Sequence, residues 1–378
     1  MQHAVDLDLQ PHAASGLVPC ESEVVRSGLG LDPAYWTVLD DGAVERCIVL
    51  IGQPAGTGEP GTSWRSACLD ARAMNAAGKT DDAAAIASHR GWVYVFGSAS
   101  GAPRGPLRRE RSFAARFHEK NVRLDEEGAL STELHVAADP FLLHRLVNDA
   151  LAHAGVPLFA FSRRYLERTV LKARRKALDK GRKWSWRLAC DDVPVDIRGA
   201  AFTPEGHLLL GLRSPTTRHG EALVVELRHA SRLFETGGGE PAGGRVFAIG
   251  GVGSRREPLG VHDLHVDVEA GVLHALLGDL DPDTDASLLL AEHPEGARAE
   301  SVHVRMTLPG APKTLRAKAS RAPSTLKASV VQRFGGLHRV EGIVADARRR
   351  PLYVSVEEDR ARLRFAVPDA RAAASESA

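Results

Sequence analysis

Four stretches of the chain share one layout: Asp82-AAAIASHRGWVYVFG (82–97), Arg198-GAAFTPEGHLLLG (198–211), Asp263-LHVDVEAGVLHALLG (263–278) and Glu341-GIVADARRRPLYVSV (341–356). Each reads as a charged residue, a small-apolar run, a polar turn and a more apolar run. Short apolar or β-branched runs between Gly, Pro and Asp signals are strands. The charged residue stands 15, 13, 15 and 15 positions before the end of the second run, and its recurrences are 116, 65 and 78 residues apart. Without the 49 residues of 139–187, the longest interval shortens to 67. A period of about 70 residues has room for four strands and their loops, the content of a propeller blade. The 329 residues outside the insertion then make between four and five units, with Asp32–Gly52 as a diverged first one.

The expectation is an all-β chain: a β-propeller of about five blades, with six as the alternative. Residues 1–367 form the single propeller domain, 139–187 a helical insertion within it, and 368–378 a disordered tail rich in Ala and Ser. Hairpins packed as a sandwich are the competing architecture. No G-H…W-D or kelch signature is present.

The insertion stands out by its period. Asp139-Pro140 reads as an N-cap followed by a first-turn proline, and Leu142, Leu143, Leu146, Val147, Ala150 and Leu151 follow at helical spacing. A second helix is expected over Ser162–Lys180, with Leu166, Val170, Ala173 and Ala177 on one side. Both helices should lie outside the ring.

Composition narrows the function classes. The 378 residues carry 49 basic and 48 acidic side chains, a net charge of +1, so a polyanion role requires a local patch. Cys20, Cys47, Cys68 and Cys190 lie far apart without a C-x-x-C pair and read as buried free thiols, not a disulfide framework or zinc cluster. The opening MQHAVDLDLQPHAASG lacks the basic and apolar regions of a secretory signal, and no run approaches the ~18–20 apolar residues of a membrane helix. The expected location is the cytoplasm.

Glu341-Gly-Ile, Asp196-Ile-Arg198-Gly-Ala-Ala with Gly211-Leu-Arg213-Ser-Pro215, and Gly260-Val-His-Asp263-Leu resemble an uncharacterised bacterial β-propeller family. That family is related to the propellers known for the "esterase-like activity of phytase". Thr80-Asp-Asp82-Ala and Phe96-Gly-Ser98 look like its Asp-x-Glu-Gly blade opening and the strand ending in Gly-Ser. The resemblance covers roughly 75–365. The opening Glu-Gly is intact only at Glu341-Gly342; it is Asp82-Ala83 and Arg198-Gly199 elsewhere. The acidic ring that the resemblance implies is therefore depleted, and its fold carries over more fully than its chemistry.

Consecutive strands of a blade are antiparallel, so the start of the first strand and the end of the second share a rim. Asp82 then joins Ser98, Ser100 and Arg104. Arg198 joins Arg213 and Arg218; Asp263 joins Asp279, Asp281, Asp283 and Asp285; Glu341 joins Glu357 and Glu358. One rim acquires a basic and an acidic sector. The candidate ligand site is Arg198, Arg213, Arg218, Arg104 and Asp82, forking onto a carboxylate or phosphate; ordinary rim ion pairs are the alternative. The candidate metal set is Asp263, Glu341, Asp279, Asp281 and Asp283, oxygen ligands suited to Ca²⁺; a metal-free Asp-rich turn is the alternative. Gly97-Ser-Ala-Ser-Gly101 places alanine where a nucleophile elbow needs serine, and Gly52-QPAGTGEPGT lacks the P-loop lysine.

Ser162–Arg187 holds eleven Lys and Arg against Glu167 and Asp179, with Arg164, Arg168, Lys172 and Lys176 at i+4 spacing and Trp184 and Trp186 beyond. Such a stripe docks an acidic protein, a membrane or nucleic acid, or is simply a solvated face. Two functions follow: a non-catalytic propeller that holds an anionic ligand or partner at one rim, or a Ca²⁺-assisted phosphate- or carboxylate-ester hydrolase of the phytase-like type.

Overall fold

Turn residues cut the chain into five successive sheets whose first strands stand side by side in a closed ring. The computed structural model describes residues 2–366, apart from 8, 10–12, 41, 57–62, 76–77, 102–104, 138, 236–240, 282–286, 292, 294–298, 309, 311–322, 347 and 358–359. The tail expected at 368–378 lies outside the described residues.

Strand β1 (Gln2–Asp6) precedes the first blade, made of β2 (Ala14–Pro19), β3 (Leu31–Leu39), β4 (Ile48–Pro54) and β5 (Arg65–Ala73), with helix α1 (Glu23–Leu29) between β2 and β3. The second blade is β6 (Ala83–His89), β7 (Trp92–Gly97) and β8 (Ala114–His118), with β9 (Arg123–Leu124) and β10 (Leu130–Val136) at its edge. Helices α2 (Leu142–His153), α3 (Arg163–Arg168) and α4 (Val170–Asp179) follow. The third blade is β11 (Asp196–Phe202), β12 (Leu208–Ser214), β13 (Leu223–Arg228) and β14 (Ala242–Gly250). The fourth is β15 (Gly260–Asp267), β16 (Val272–Gly278), β17 (Val302–Thr307) and β19 (Ser329–Arg333), reached through β18 (Ser324–Lys327). The fifth is β20 (Val340–Ala345), β21 (Pro351–Glu357) and β22 (Arg360–Ala366), completed by β1, which pairs antiparallel with β22. The chain is a five-bladed β-propeller. Its first unit starts at Ala14, earlier than the Asp32 expected from the repeat.

The innermost strands are β2, β6, β11, β15 and β20, each neighbouring the next around the ring. Their crowding explains two glycines. A Cβ at Gly199 would lie 3.0 Å from the Asp263 backbone, and one at Gly342 would lie 3.2 Å from that of Gly16. Side chains of successive sheets fill the wedges between blades, as in any face-packed sheet pair. Trp36, fully buried between the first two blades, packs edge-on against Phe117 at 5.3 Å between ring centroids.

Two features were not foreseen. The first half of β10 runs parallel to β5 and its end pairs with β8, and β18 runs parallel to β14 before β19 joins β17. Outer edges of the first and second blades, and of the third and fourth, are thereby stitched together. Helix α2 is no appendage either. Its Leu143, Leu146, Val147, Ala150 and Leu151 sit in one apolar cluster with Tyr94 and Phe96 of the second blade and Leu210 and Leu223 of the third.

The insertion departs from its two-helix expectation. Asp139 does not cap α2, whose preceding residue, Phe141, has a left-handed φ of 65° and no side-chain cap; Asp139 instead pairs with Arg187. The second expected helix is broken at Thr169, whose hydroxyl bonds back to the Tyr165 carbonyl at 2.7 Å, separating α3 from α4. Of the four thiols, Cys20 and Cys47 are buried, whereas Cys68 and Cys190 are exposed, and all are free.

Candidate functional site at the channel mouth

The first hairpins of the blades open with a bulge. Ala84 in β6, Arg198 in β11, His262 in β15 and Glu341 in β20 are each skipped in the pairing with the next strand. Arg213 is skipped in the same way on β12. A bulge leaves its residue without a cross-strand partner and re-aims its side chain, a device common beside functional sites. Arg198 and Glu341 thus hold equivalent places. Asp263 lies one position after the bulge and Asp82 two before it, so the fourfold charged repeat is out of register at those two residues. Asp82 is instead the counterpart of Asp196, which stands two before its own bulge.

A ladder of alternating charge runs along this rim. Arg111, on the turn Arg109–Arg111, places Nη1 at 3.2 Å from Asp82 Oδ2, and Arg198 Nη1 lies 3.7 Å from Asp82 Oδ1. Arg198 Nε donates to Asp196 Oδ1 at 3.1 Å, and Arg213 donates to Asp196 Oδ2 from Nε at 2.8 Å and Nη2 at 2.6 Å. Ser98 Oγ donates to Asp82 at 2.5 Å. Burial would raise the Asp82 carboxyl, but Arg198, Arg111, the Ser98 hydroxyl and Arg213 hold it below the ordinary range. Burial would equally weaken the Arg198 cation; Asp196, Asp82, Glu341 and Asp40 reverse this and raise its pKa. Asp82 and Ala99 have left-handed φ values of 58° and 60°. Such strain on non-glycine residues gathers at functional sites.

A second group adjoins it. His262 Nδ1 lies 3.4 Å from Glu341 Oε2, and its Nε2 is 2.9 Å from the Asp279 carbonyl oxygen. Burial opposes both charges, yet Glu341 and Asp279 raise the His262 pKa, and His262, Arg213, Arg339 and Arg198 lower that of Glu341. The pair is a buried histidine–carboxylate contact between the fourth and fifth blades.

Asp263 serves the ring and not the mouth. Its carboxylate accepts the N–H of Leu264 and of Ile343, each at 2.8 Å, and also takes a backbone bond from Leu17. It therefore staples β15, β20 and β2 together. Full burial pushes its carboxyl well above the usual range, against the pull of those amides.

The ladder borders a cavity of about 310 Å³, lined by Arg111, Asp196, Arg198, Arg213 and Asp281, by the hydroxyls of Ser100, Ser214 and Ser287, and by Tyr165 and Thr169 from the insertion. Arg198 and Arg213 are brought together as expected, with Asp82 beside them. Arg218 is not: it is exposed on the β12–β13 loop and its Nε donates to His219. The expected convergence of three arginines is corrected to two, with Arg111 as the third cation. Glu341 faces them; Asp263 does not. Glu357 is engaged by Arg362 and Arg364 of the outer strand. Arg104, Asp283, Asp285 and Glu358 lie outside the described residues. Asp281 reaches the cavity wall, whereas Asp279 sits under His262. Among the described residues, no three His, Cys, Asp or Glu side chains gather closely enough to hold a metal ion.

Sequence reasoning missed Asp196, His262 and Arg111 as members of this mouth. Asp196 could have been found, since it opens its blade as Asp82 does. His262 stands beside the charged repeat position and not on it; the bulge decides its direction. Arg111 sits in an irregular loop and had no pattern to expose it.

In the basic segment, Arg164, Arg168 and Lys176 are exposed and Lys172 is half-buried, while Val170 packs inward against Phe141 and Leu188. Leu166 is only partly buried. The break at Thr169 divides the intended stripe between α3 and α4. Among the described residues, no helix is long and apolar enough to cross a membrane.

No family profile matches the chain, nor does any curated protein. Among solved structures it is similar to YCF48 bound to a D1 peptide, at 9% identity over 89% of this chain and 61% of that one, with a TM-score of 0.30. This chain therefore matches about three fifths of that protein's length. It is also similar to a glucose dehydrogenase, at 10% identity over 97% and 100% of the two chains, with a TM-score of 0.37. A Trichoderma reesei carbohydrate-active enzyme of family AA12 gives 12% identity, 96% and 95% coverage and a TM-score of 0.38.

Proposed function

We propose that the protein is a non-catalytic binding propeller that holds a small anionic ligand, a carboxylate or phosphate, in the cavity at the channel mouth. One observation carries this reading: Arg198 and Arg213, both re-aimed by bulges, border a cavity of about 310 Å³ rich in hydroxyl groups. That size lies at the lower end of the ~300–1,000 Å³ of small-molecule sites. Asp196 occupies Nε and Nη2 of Arg213, and Nη1 makes no hydrogen bond among the described residues. The ladder holds these guanidinium groups in place, which lowers the ordering cost of binding an anion. The carboxylates beside them bias the site toward a ligand that also carries a donor or a positive group. Tyr165 and Thr169 bring the insertion to the same cavity, so the ligand would touch both parts of the chain.

The phytase-like alternative draws its chemistry from Asp263, Glu341 and the Asp279–Asp285 turn. Asp263 is committed to backbone amides and Glu341 to His262, and no observation favours that reading over binding.

Thermal shift against citrate, malate, inorganic phosphate, pyrophosphate and AMP tests the proposal, since an anion bound only by the native state raises Tm. Arg198→Lys keeps a cation between Asp82 and Asp196 but loses the fork, and it should reduce the affinity of a responding anion about tenfold. If no carboxylate or phosphate raises Tm, or if Arg198→Lys leaves the response unchanged, the mouth is not an anion site.

A further inference from the structure

A second concavity lies away from the channel, between the end of the insertion and the outer edges of the second and third blades. It measures about 720 Å³ and is lined on one side by Trp184, Trp186 and the Lys183–Arg187 turn, and on the other by Arg232 and Phe234. Among its described lining residues, Arg187 pairs with Asp139, and Arg182, Lys183 and Arg232, all exposed, stand beside the carboxylate of Glu235. Trp184 is anchored, its ring 4.9 Å from that of Phe141. Trp186 is not: it remains 61% exposed, with the Arg187 guanidinium over its ring at 3.7 Å.

A core role does not explain an indole left mostly in solvent on the lip of a basic groove. A solvated charged face explains the cations but not the indole. A membrane anchor would carry its aromatic rings on a convex apolar face, whereas these line a concave, charged one. Flat aromatic rings set among cations in a groove match the chemistry of unpaired bases on a phosphate backbone: the bases stack and the backbone is neutralised. Because duplex bases have their faces occupied, stacking of this kind selects single strands.

We propose that this groove binds single-stranded nucleic acid, with a base stacked on Trp186 and phosphates held by Arg182, Lys183 and Arg232. The site is independent of the channel mouth and goes beyond the small-anion reading.

The test is fluorescence anisotropy of the full-length protein with labelled dT15, a duplex of the same length, and inorganic polyphosphate as competitor. The expected result is dT15 binding at least about tenfold tighter than duplex binding, with a slope of log affinity on log salt of roughly −2, as three neutralised phosphates require. Trp186→Ala should weaken dT15 about fivefold or more without changing the salt slope. The Arg182→Glu/Lys183→Glu pair should abolish binding. Both variants alter exposed residues, and circular dichroism melts confirm that they fold. The proposal is overturned if dT15 does not bind, if Trp186→Ala binds dT15 like the parent, or if polyphosphate or duplex binds as tightly as dT15. It is equally overturned if phosphatidylserine vesicles capture the protein through Trp186 while dT15 does not bind.

Discussion

Arg213 grips one carboxylate oxygen of Asp196 from two nitrogens, at 2.8 and 2.6 Å, across the first hairpin of the third blade. Both residues are buried, with Arg213 only 4% exposed. The fork gives Arg213 a folding role beside its place on the cavity wall. Arg213→Ala should lower unfolding free energy by about 1.5–3 kcal/mol, because Asp196 loses two charge-assisted hydrogen bonds and keeps only Arg198. Urea denaturation measures the loss; a cost below about 1 kcal/mol would show that Arg198 alone satisfies Asp196. Arg198→Lys, which keeps the charge, is the cleaner probe of the cavity.

Gly260 has no room for a side chain: a Cβ there would come within 2.3 Å of the Arg213 carbonyl oxygen. Backbone cannot rotate out of the way as a side chain can. Gly260→Ala should therefore destabilise by about 1–3 kcal/mol and shift Arg213 at the mouth. The expected pairing of effects is a lower Tm together with weaker anion response; a fully retained Tm argues against the close approach.

Three histidines form a row on the fourth blade, His303 buried and His265 and His274 half-buried; His274 Nδ1 lies 2.9 Å from His303 Nε2 and His303 Nδ1 lies 2.9 Å from the Tyr353 hydroxyl of the fifth. Burial first, then neighbouring His274, depresses His303 to about 3; burial, then His274, depresses His265 to about 4. The unfolded chain takes these protons near pH ~6.5 while the folded one refuses them, so the unfolded state binds more protons as pH falls. Stability present above about pH 6.5 should thus be lost progressively toward pH ~4, by up to about 1.4 kcal/mol per pH unit and histidine. Chemical denaturation from pH 7 to 4 measures the slope. His303→Gln should make it shallower, and an unchanged slope would place the acid sensitivity elsewhere.

Helix α2 packs on β13 and β14 of the third blade, and Leu151, 3% exposed, belongs to the apolar cluster that the second and third blades share. Leu151→Ala should cost about 2–5 kcal/mol, the range for a buried leucine. By contrast, reversing Arg164, Arg168, Lys172 and Lys176 to Glu should leave Tm nearly unchanged, since three are exposed and one is half-buried. Should the charge reversal unfold the protein, those helices contribute to the core through contacts beyond Val170.

The strand–turn–strand units, their number near five, the helical interruption, and the shared rim of the first strand's start and the second strand's end are all legible in the residues. These are local properties: apolar runs bounded by Gly, Pro and Asp make hairpins, and antiparallel pairing puts their open ends together. Only the tertiary structure decided which residue of each opening turns toward the channel. A one-residue bulge leaves the hydrophobic pattern almost unchanged while re-aiming a side chain, so Arg198, His262 and Glu341 come together and Asp263 turns to backbone amides instead. Packing of neighbouring blades likewise chose the partners of these buried charges, because Asp82 of the second blade meets Arg198 of the third, and His262 of the fourth meets Glu341 of the fifth, only when the two sheets pack together. The stitching of β10 and β18 onto neighbouring blades, and the place of α2 on the third, depended on that same packing, which no periodicity within a single unit encodes.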